Sequence, residues 1–272
     1  MDKRSRLSIK FDALQRLLMN NMLSGILPLY IVTEYPKSGG TWVGQMLSAY
    51  LGVPFPRNGR PKLSSCVMHG HYGYTPFMRN VLCVVRDGRD VAVSAYYHML
   101  FPNEHNSPHL IERTRHHNPF KNYDDITENL PAFIEYLFRT ENRRLMHVNW
   151  SQFVDSWLGK PHATLVKYED ALHDAAQALR PYIEKTVGKE ADMKRLRDIQ
   201  ETFSFKRQSR RTAGEEVRGS FLRKGIAGDW KTKFSTLSCE VFDHYAGANL
   251  VNLGYEKDRT WVASWTGPMT DS

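Results

Sequence analysis

The stretch YPKSGGTW, Tyr35 to Trp42, gathers the residue types that hold an oxyanion. Gly39 and Gly40 let the main chain approach an anion closely. Ser38 and Thr41 offer hydroxyl donors, and Lys37 places a compact cation where a bridging oxygen would be held. It is not a Walker A loop. That motif needs G-x-x-x-x-G-K-[ST], and here the lysine precedes the glycines. Taken alone, the stretch reads equally as a glycine turn between a strand and a helix.

Two further groups carry reactive side chains. VMHGHYG, Val67 to Gly73, places His69 and His71 two residues apart. Imidazole changes charge nearest neutral pH and can take a proton from an attacking hydroxyl. RKGIAGDWKTKF, Arg223 to Phe234, sets an arginine fork and a lysine before a glycine with a bare N–H. It lies in a segment, Lys206 to Lys233, that holds nine Lys and Arg. Arginine pairs with phosphate oxygens two at a time, where lysine acts as a point charge. His98, His105, His109, His116 and His117 crowd one region, but at no zinc-ligand spacing and with no cysteine among them, so no metal is expected.

The elements that must position these residues follow from periodicity. Leu7, Phe11, Leu14, Leu18 and Met22 fall at helical spacing over Leu7 to Leu23. LPLYIVTEY, Leu27 to Tyr35, is a short apolar, β-branched run and reads as a buried strand. After the glycines, Trp42, Val43, Met46 and Leu47 share a helical face. Strand, glycine loop and helix together aim N–H groups and a helix N-terminus at an anion. A second such unit is VLCVVRDGRDVAVSAYYHML, with a strand over Val81 to Val85 and a helix from Asp90 onward. A third strand is expected over Ala163 to Tyr168, before a helix over Glu169 to Leu179. Helices are also expected over Leu130 to Arg139, Trp150 to Leu158 and Leu237 to Leu253. Phe101 to Asp125 and Glu201 to Arg223 read as long loops. Alternating strands and helices imply parallel pairing. The expectation is one α/β domain over residues 1–272, with a central parallel β-sheet flanked by helices.

Composition narrows the partners. The chain has 272 residues, 41% of them apolar and 24% charged, which excludes disorder as its main state. A formal charge of +8 favours anionic ligands. The basic segment carries a glycine motif, which suits a compact anion at least as well as a duplex. Cys66, Cys83 and Cys239 are odd in number and lack C-x-x-C spacing, as expected in a reducing compartment. The first ten residues resemble no signal peptide, and no apolar run approaches the ~18 residues of a membrane span. A cytoplasmic protein without a transmembrane segment is expected.

YPKSGGTW, VVRDGRDVAVSAYYH, KYED and RKGIAGDWKTKF occur in the order, and at about the spacing, of the cytosolic sulfotransferases that use 3′-phosphoadenosine 5′-phosphosulfate (PAPS). The chain resembles this family, in a bacterial-like form, over most of its length. Its last motif matches R-K-G-x-x-G-D-W-K-x-x-F at every fixed position. The resemblance implies a fold akin to the P-loop kinases. It implies a 5′-phosphosulfate held by Lys37, Ser38, Gly39, Gly40 and Thr41, with Trp42 near the adenine. Arg86 and Ser94 would bind the 3′-phosphate, completed by Arg223, Lys224 and Gly225, and Tyr168 and Phe205 would contact the adenine. The product would be adenosine 3′,5′-bisphosphate (PAP). The family places its catalytic histidine in K-[TS]-H; alignment sets His71 on that histidine and His69 on the lysine. This departure leaves open which of the two is the base.

The implied reaction is in-line transfer of a sulfuryl group to an acceptor hydroxyl, with His71 taking the proton and Lys37 stabilising charge on the departing phosphate. Two readings compete. A small-molecule kinase would need a Walker A lysine and a magnesium carboxylate, and Asp87 and Asp90 read more simply as helix-start residues. A non-catalytic binder of nucleotide or nucleic acid is left open by Arg210 and Arg211, though no nucleic-acid partner is expected. The acceptor, whether a small-molecule alcohol, phenol, glycan or lipid, would be selected by loops around Pro54 to Ser65, Phe101 to Asp125 and Glu201 to Arg218. Phe55, Tyr72, Tyr74, Phe77, Tyr96, Phe101 and Phe120 suit either an apolar acceptor pocket or core packing.

Overall fold

The computed structural model describes residues 6–57, 59, 63–139, 148–220 and 222–268. The side chains of residues 6–10, including Leu7 of the N-terminal stripe, lie outside the described residues, as do 58 and 60–62 of the expected acceptor loop. In chain order the elements are α1 (Arg6–Leu18), continued by a π-helical turn (Met19–Leu23), β1 (Leu29–Glu34), α2 (Gly40–Leu51), β2 (Cys66–Gly70), β3 (Val81–Val85), α3 (Gly88–Leu100), α4 (Pro108–His117), α5 (Ile126–Phe138), α6 (Trp150–Trp157), β4 (Ala163–Lys167), α7 (Tyr168–Val187), α8 (Met193–Thr202), α9 (Phe205–Ser209), a 3-10 turn (Asp229–Thr232), α10 (Thr236–Asn252) and a second 3-10 turn (Arg259–Val262). They form two compact units, Met1–Val85 with Ser156–Ser204, and Arg86–Asp155 with Phe205–Ser272.

The first unit contains the sheet. Its strands are all parallel, in the order β2-β1-β3-β4. Val81 to Val85 is buried at every position, as a strand covered on both faces requires. Val32, Val67, Leu82, Val84 and Val166 share a core with Val43, Met46 and Leu47 of α2 and Ala171, Ala175 and Leu179 of α7. α7 bends at Asp174, whose φ of −148° leaves the helical region. There its carboxylate accepts the N–H of Gln177 at 3.1 Å and caps the second half. The chain leaves β1 with β2 on one flank and β3 on the other, a topological switch point where open α/β sheets bind ligands.

The second unit is helical. Asp87, Ser107, Asp125 and Ser235 cap α3, α4, α5 and α10 through their side chains. Phe138 stacks on Tyr245 with ring centroids 5.0 Å apart, joining α5 to α10. Gly88 opens α3 where a Cβ would fall 2.6 Å from the Phe242 ring, so the helix start packs as only glycine allows.

Two loop expectations need correction. Phe101 to Asp125 contains α4, started by Ser107 as cap and Pro108 in the first turn. Glu201 to Arg223 contains the end of α8 and all of α9. The remainder of that segment is organised by Arg211, whose guanidinium donates to the carbonyls of Glu215, Leu222 and Arg223. Outside those loops, the strand β2, the helix α8 and the two 3-10 turns are elements that the sequence pattern does not announce.

Candidate active site

The loop between β1 and α2 holds Lys37 at φ +77° and Gly39 at φ +92°. Lysine rarely adopts the left-handed region, and such strain gathers where a backbone must present its N–H groups in a fixed direction. A Cβ on Gly39 would meet the Tyr168 ring at 2.5 Å, so the loop packs beneath that aromatic. Ser38 is fully buried, and its hydroxyl has no hydrogen-bond partner. An orphaned buried hydroxyl beside two glycines and a lysine suits an absent anion, since such a group is costly unless something completes it. Thr41 is buried in the first turn of α2. Trp42 meets Tyr168 edge-on at 6.0 Å and donates its indole N–H to the Phe203 carbonyl at 2.8 Å. Seven of the expected donor-site residues, Lys37 to Trp42 and Tyr168, are therefore gathered in the first unit.

β1 also organises the histidines. The Thr33 hydroxyl takes the N–H of Tyr72 and donates to the Tyr72 carbonyl, both at 3.0 Å. His71 Nδ1 lies 3.0 Å from the Glu34 main-chain oxygen, and the His71 side chain is exposed. His69 pairs with Val32 in the β1–β2 register and is only 8% exposed. Its Nε2 lies 2.9 Å from Oε1 of Glu34. The other Glu34 oxygen accepts the N–H of Gly40 at 2.6 Å, at the start of α2. Burial would raise the Glu34 carboxyl, but the hydrogen bond and charge of His69, with His71 and the Gly40 N–H, hold it below its ordinary value.

Sequence reasoning assigned nothing to Glu34. A signal was present, since a lone acid closing the apolar run LYIVTE must be neutralised once its strand is buried.

In the second unit, Arg86 donates to the Ile226 carbonyl at 3.2 Å and pairs with Asp90 at 3.5 Å. Asp90 accepts the N–H groups of Gly228 and Trp230 at 2.7 and 3.0 Å. Burial pushes its carboxyl up from the usual range, against the pull of Arg86. Ser94 lies one turn beyond Asp90 on the same face of α3. Asp229 binds Lys224 at 2.7 Å and also Arg223, which reaches Glu216 at 2.5 Å. Burial would raise Asp229, but Arg223 and Lys224 outweigh it and hold the carboxyl low. Gly225, at φ +67°, lies against Phe205, whose ring would be 2.2 Å from an added Cβ. Arg86, Arg223, Lys224, Gly225 and Phe205 are thus gathered here, around a turn anchored by Asp90. The Arg89 guanidinium stacks 3.7 Å over Trp230, which fixes the GDW segment from the other side.

The aromatics divide. Phe55 covers Gly44 and meets His69 edge-on at 5.9 Å. Tyr72 covers Gly70, Tyr74 meets Trp157, Tyr96 is fully buried and stacks on Phe120, and Phe77 is exposed. Among the described residues, no three His, Cys, Asp or Glu side chains gather as a metal-binding group. No helix among them is long and apolar enough to cross a membrane.

A family model described as "Sulfotransferase domain" matches residues 77–254, more than half of the chain. Sulfotransferase 1A1 of Bos taurus is 23% identical over 263 aligned residues, covering 79% of this chain and 81% of the relative. Sulfotransferase 1E1 of Homo sapiens is 27% identical over 262, covering 79% and 81%. Among solved structures, the mouse sulfotransferase SULT7A1 complexed with PAP aligns at a TM-score of 0.61 and 16% identity, covering 94% of each chain. Retinol dehydratase in complex with retinol and PAP aligns at 0.58 and 17%, covering 89% of this chain and 86% of the other. At these identities the structural likeness speaks for the fold.

Proposed function

The chain belongs to the sulfotransferase domain family, and from that premise we propose how its residues carry sulfuryl transfer. It is a PAPS-dependent sulfotransferase. When bound, PAPS supplies the sulfuryl group that the acceptor hydroxyl receives.

The observation that carries the site assignment is the loop Lys37 to Thr41, with its left-handed Lys37, its close-packed Gly39 and the buried, unpartnered hydroxyl of Ser38. We assign it the phosphosulfate end. Lys37 stabilises charge on the departing phosphate oxygen, while the loop N–H groups and Ser38 hold the anion in place. Trp42 and Tyr168 offer an aromatic surface for the adenine. We assign the 3′-phosphate to Arg86, Ser94, Arg223, Lys224 and Gly225, and a further adenine contact to Phe205. Arg223 and Lys224 would exchange part of their pairing with Asp229 for the phosphate. His71 is exposed and held by the main chain, and takes the acceptor's proton; His69 is held by Glu34. Positioning and electrostatics supply the rate, since the residues assembled need no covalent intermediate.

The proposal treats residues 1–272 as one sulfotransferase domain; the family match includes segments of both compact units. The three cysteines are odd in number and all buried, which supports a reducing, cytoplasmic setting. For the acceptor we favour a small apolar alcohol or phenol over a glycan or nucleic acid. The aromatic side chains around the histidine segment, Phe55, Tyr72 and Tyr74, support this choice. Release of PAP from PAPS, measured with a panel of phenols, sterols and simple sugars, tests the reading. Acceptor-dependent release with sulfated product supports it, and release with none of the panel counts against the acceptor class.

A further inference from the structure

Glu34 carries the one charged side chain of β1; its carboxylate touches His69 and the first turn of α2, and its main-chain oxygen touches His71. Two of its contacts fix where protons must lie. A carbonyl oxygen only accepts, so His71 Nδ1, 3.0 Å from the Glu34 main-chain oxygen, carries a hydrogen and the neutral ring keeps its lone pair on Nε2. An ionised carboxylate also only accepts. His69 Nε2, 2.9 Å from Glu34 Oε1, therefore carries a hydrogen in its turn. The second carboxylate oxygen is already engaged by the Gly40 N–H, so the carboxylate cannot rotate away without losing that bond.

We propose that Glu34 is a positioning residue that sets opposite proton positions on the two histidines, leaving Nε2 of His71 as the base and withdrawing Nε2 of His69 from that role. The main-chain half of this device is tied to the fold, because Glu34 ends a strand paired on both sides. The side-chain half is specific to glutamate at this position. The His71 assignment stands on geometry alone, the His69 assignment on geometry with an ionised Glu34 carboxylate, and only their consequence for turnover rests on the reaction proposed above.

The test is long-range nitrogen–proton NMR on histidine-labelled, full-length protein without donor or acceptor, at a pH where the rings are neutral. Expected are an Nδ1–H ring for His71 and an Nε2–H ring for His69. In Glu34→Gln the amide oxygen takes the Gly40 N–H and its NH2 faces His69, so His69 moves its proton to Nδ1 while His71 is unchanged. An Nε2–H ring for His71 in the wild type, or a His69 signal indifferent to Glu34→Gln, overturns the proposal. Should Glu34→Gln fail to fold, the wild-type spectrum and that of His69→Gln still decide the His71 assignment.

Turnover supplies the second arm, with PAPS and a phenol. Glu34→Gln should lower kcat by at least about tenfold, with the KM for PAPS little changed. The same change made in His69→Gln, whose amide can donate to Glu34 but has no tautomer to shift, should cost little more. An equal loss in both backgrounds would mean that Glu34 acts through Gly40, and the proposal fails. A wild type inactive on phenol contradicts the phenol reading alone, because the NMR arm decides the proton positions independently.

Discussion

Asp90 accepts the main-chain N–H of Trp230 at 3.0 Å, across 140 residues of sequence. With the Gly228 N–H it closes the turn from which Asp229 reaches Arg223 and Lys224. The RDGRD and RKGIAGDWK motifs are therefore one structure. Asp90→Ala removes two charge-assisted bonds and leaves buried N–H groups unmet. It should cost about 3 kcal/mol of stability, read from urea denaturation. Bisphosphate affinity should fall with it, because the basic residues lose their anchor. A variant as stable as the wild type would show that the turn holds itself.

Lys37→Ala tests the charge at the departing oxygen. The expected loss is about 10²–10³-fold in kcat, with affinity for PAP, which lacks the sulfuryl group, falling much less. Equal losses in kcat and PAP affinity would place Lys37 in binding rather than in the chemical step.

Gly39→Ala probes the strained loop. A Cβ there would lie 2.5 Å from the Tyr168 ring at a φ of +92°, so backbone strain and a displaced aromatic add together. About 1–3 kcal/mol of destabilisation is expected from thermal melts. PAP should bind more weakly because Tyr168 is pushed from its position over the loop. Normal affinity would show that Tyr168 does not contact the adenine.

Glu34 links stability to pH. Its folded carboxyl lies below the ordinary value of 4.5. Its contribution is therefore complete above that value and is lost as pH falls through the lower, folded one. The facing groups are His69, His71, the Gly40 N–H and the Cys83 thiol, which burial and the Glu34 charge together push up. Glu34→Gln should be less stable at neutral pH and should lose less on acidification than the wild type. Parallel acid profiles for the two proteins would contradict this.

Much of the fold was legible because buried parallel strands announce themselves. Val81 to Val85 is apolar throughout and rich in β-branched valine, and the structure has a strand with those bounds. β2 escaped notice because Cys66 to Gly70 ends in histidine and glycine, and its polar end is tolerable only beside Glu34 of a strand distant in sequence. α8 was obscured by its charge, since MKRLRDIQET offers a single fully buried side chain, Leu196. The loop Lys37 to Thr41 could be read locally, because its chemistry is that of consecutive residues. The pairings of Asp90 with Gly228 and of Glu34 with both histidines depend on tertiary packing, and no local spacing announces them.

We propose that this chain has separate sites for the two ends of a bisphosphorylated donor. Calorimetric titration with adenosine 3′,5′-bisphosphate against magnesium-ATP, on the wild type and on Arg86→Ala with Arg223→Ala, tests it most directly. Expected are micromolar or tighter binding of the bisphosphate, abolished in the double variant while the fold survives, and weak binding of magnesium-ATP. Preference for magnesium-ATP, or bisphosphate binding untouched by the two substitutions, would contradict it.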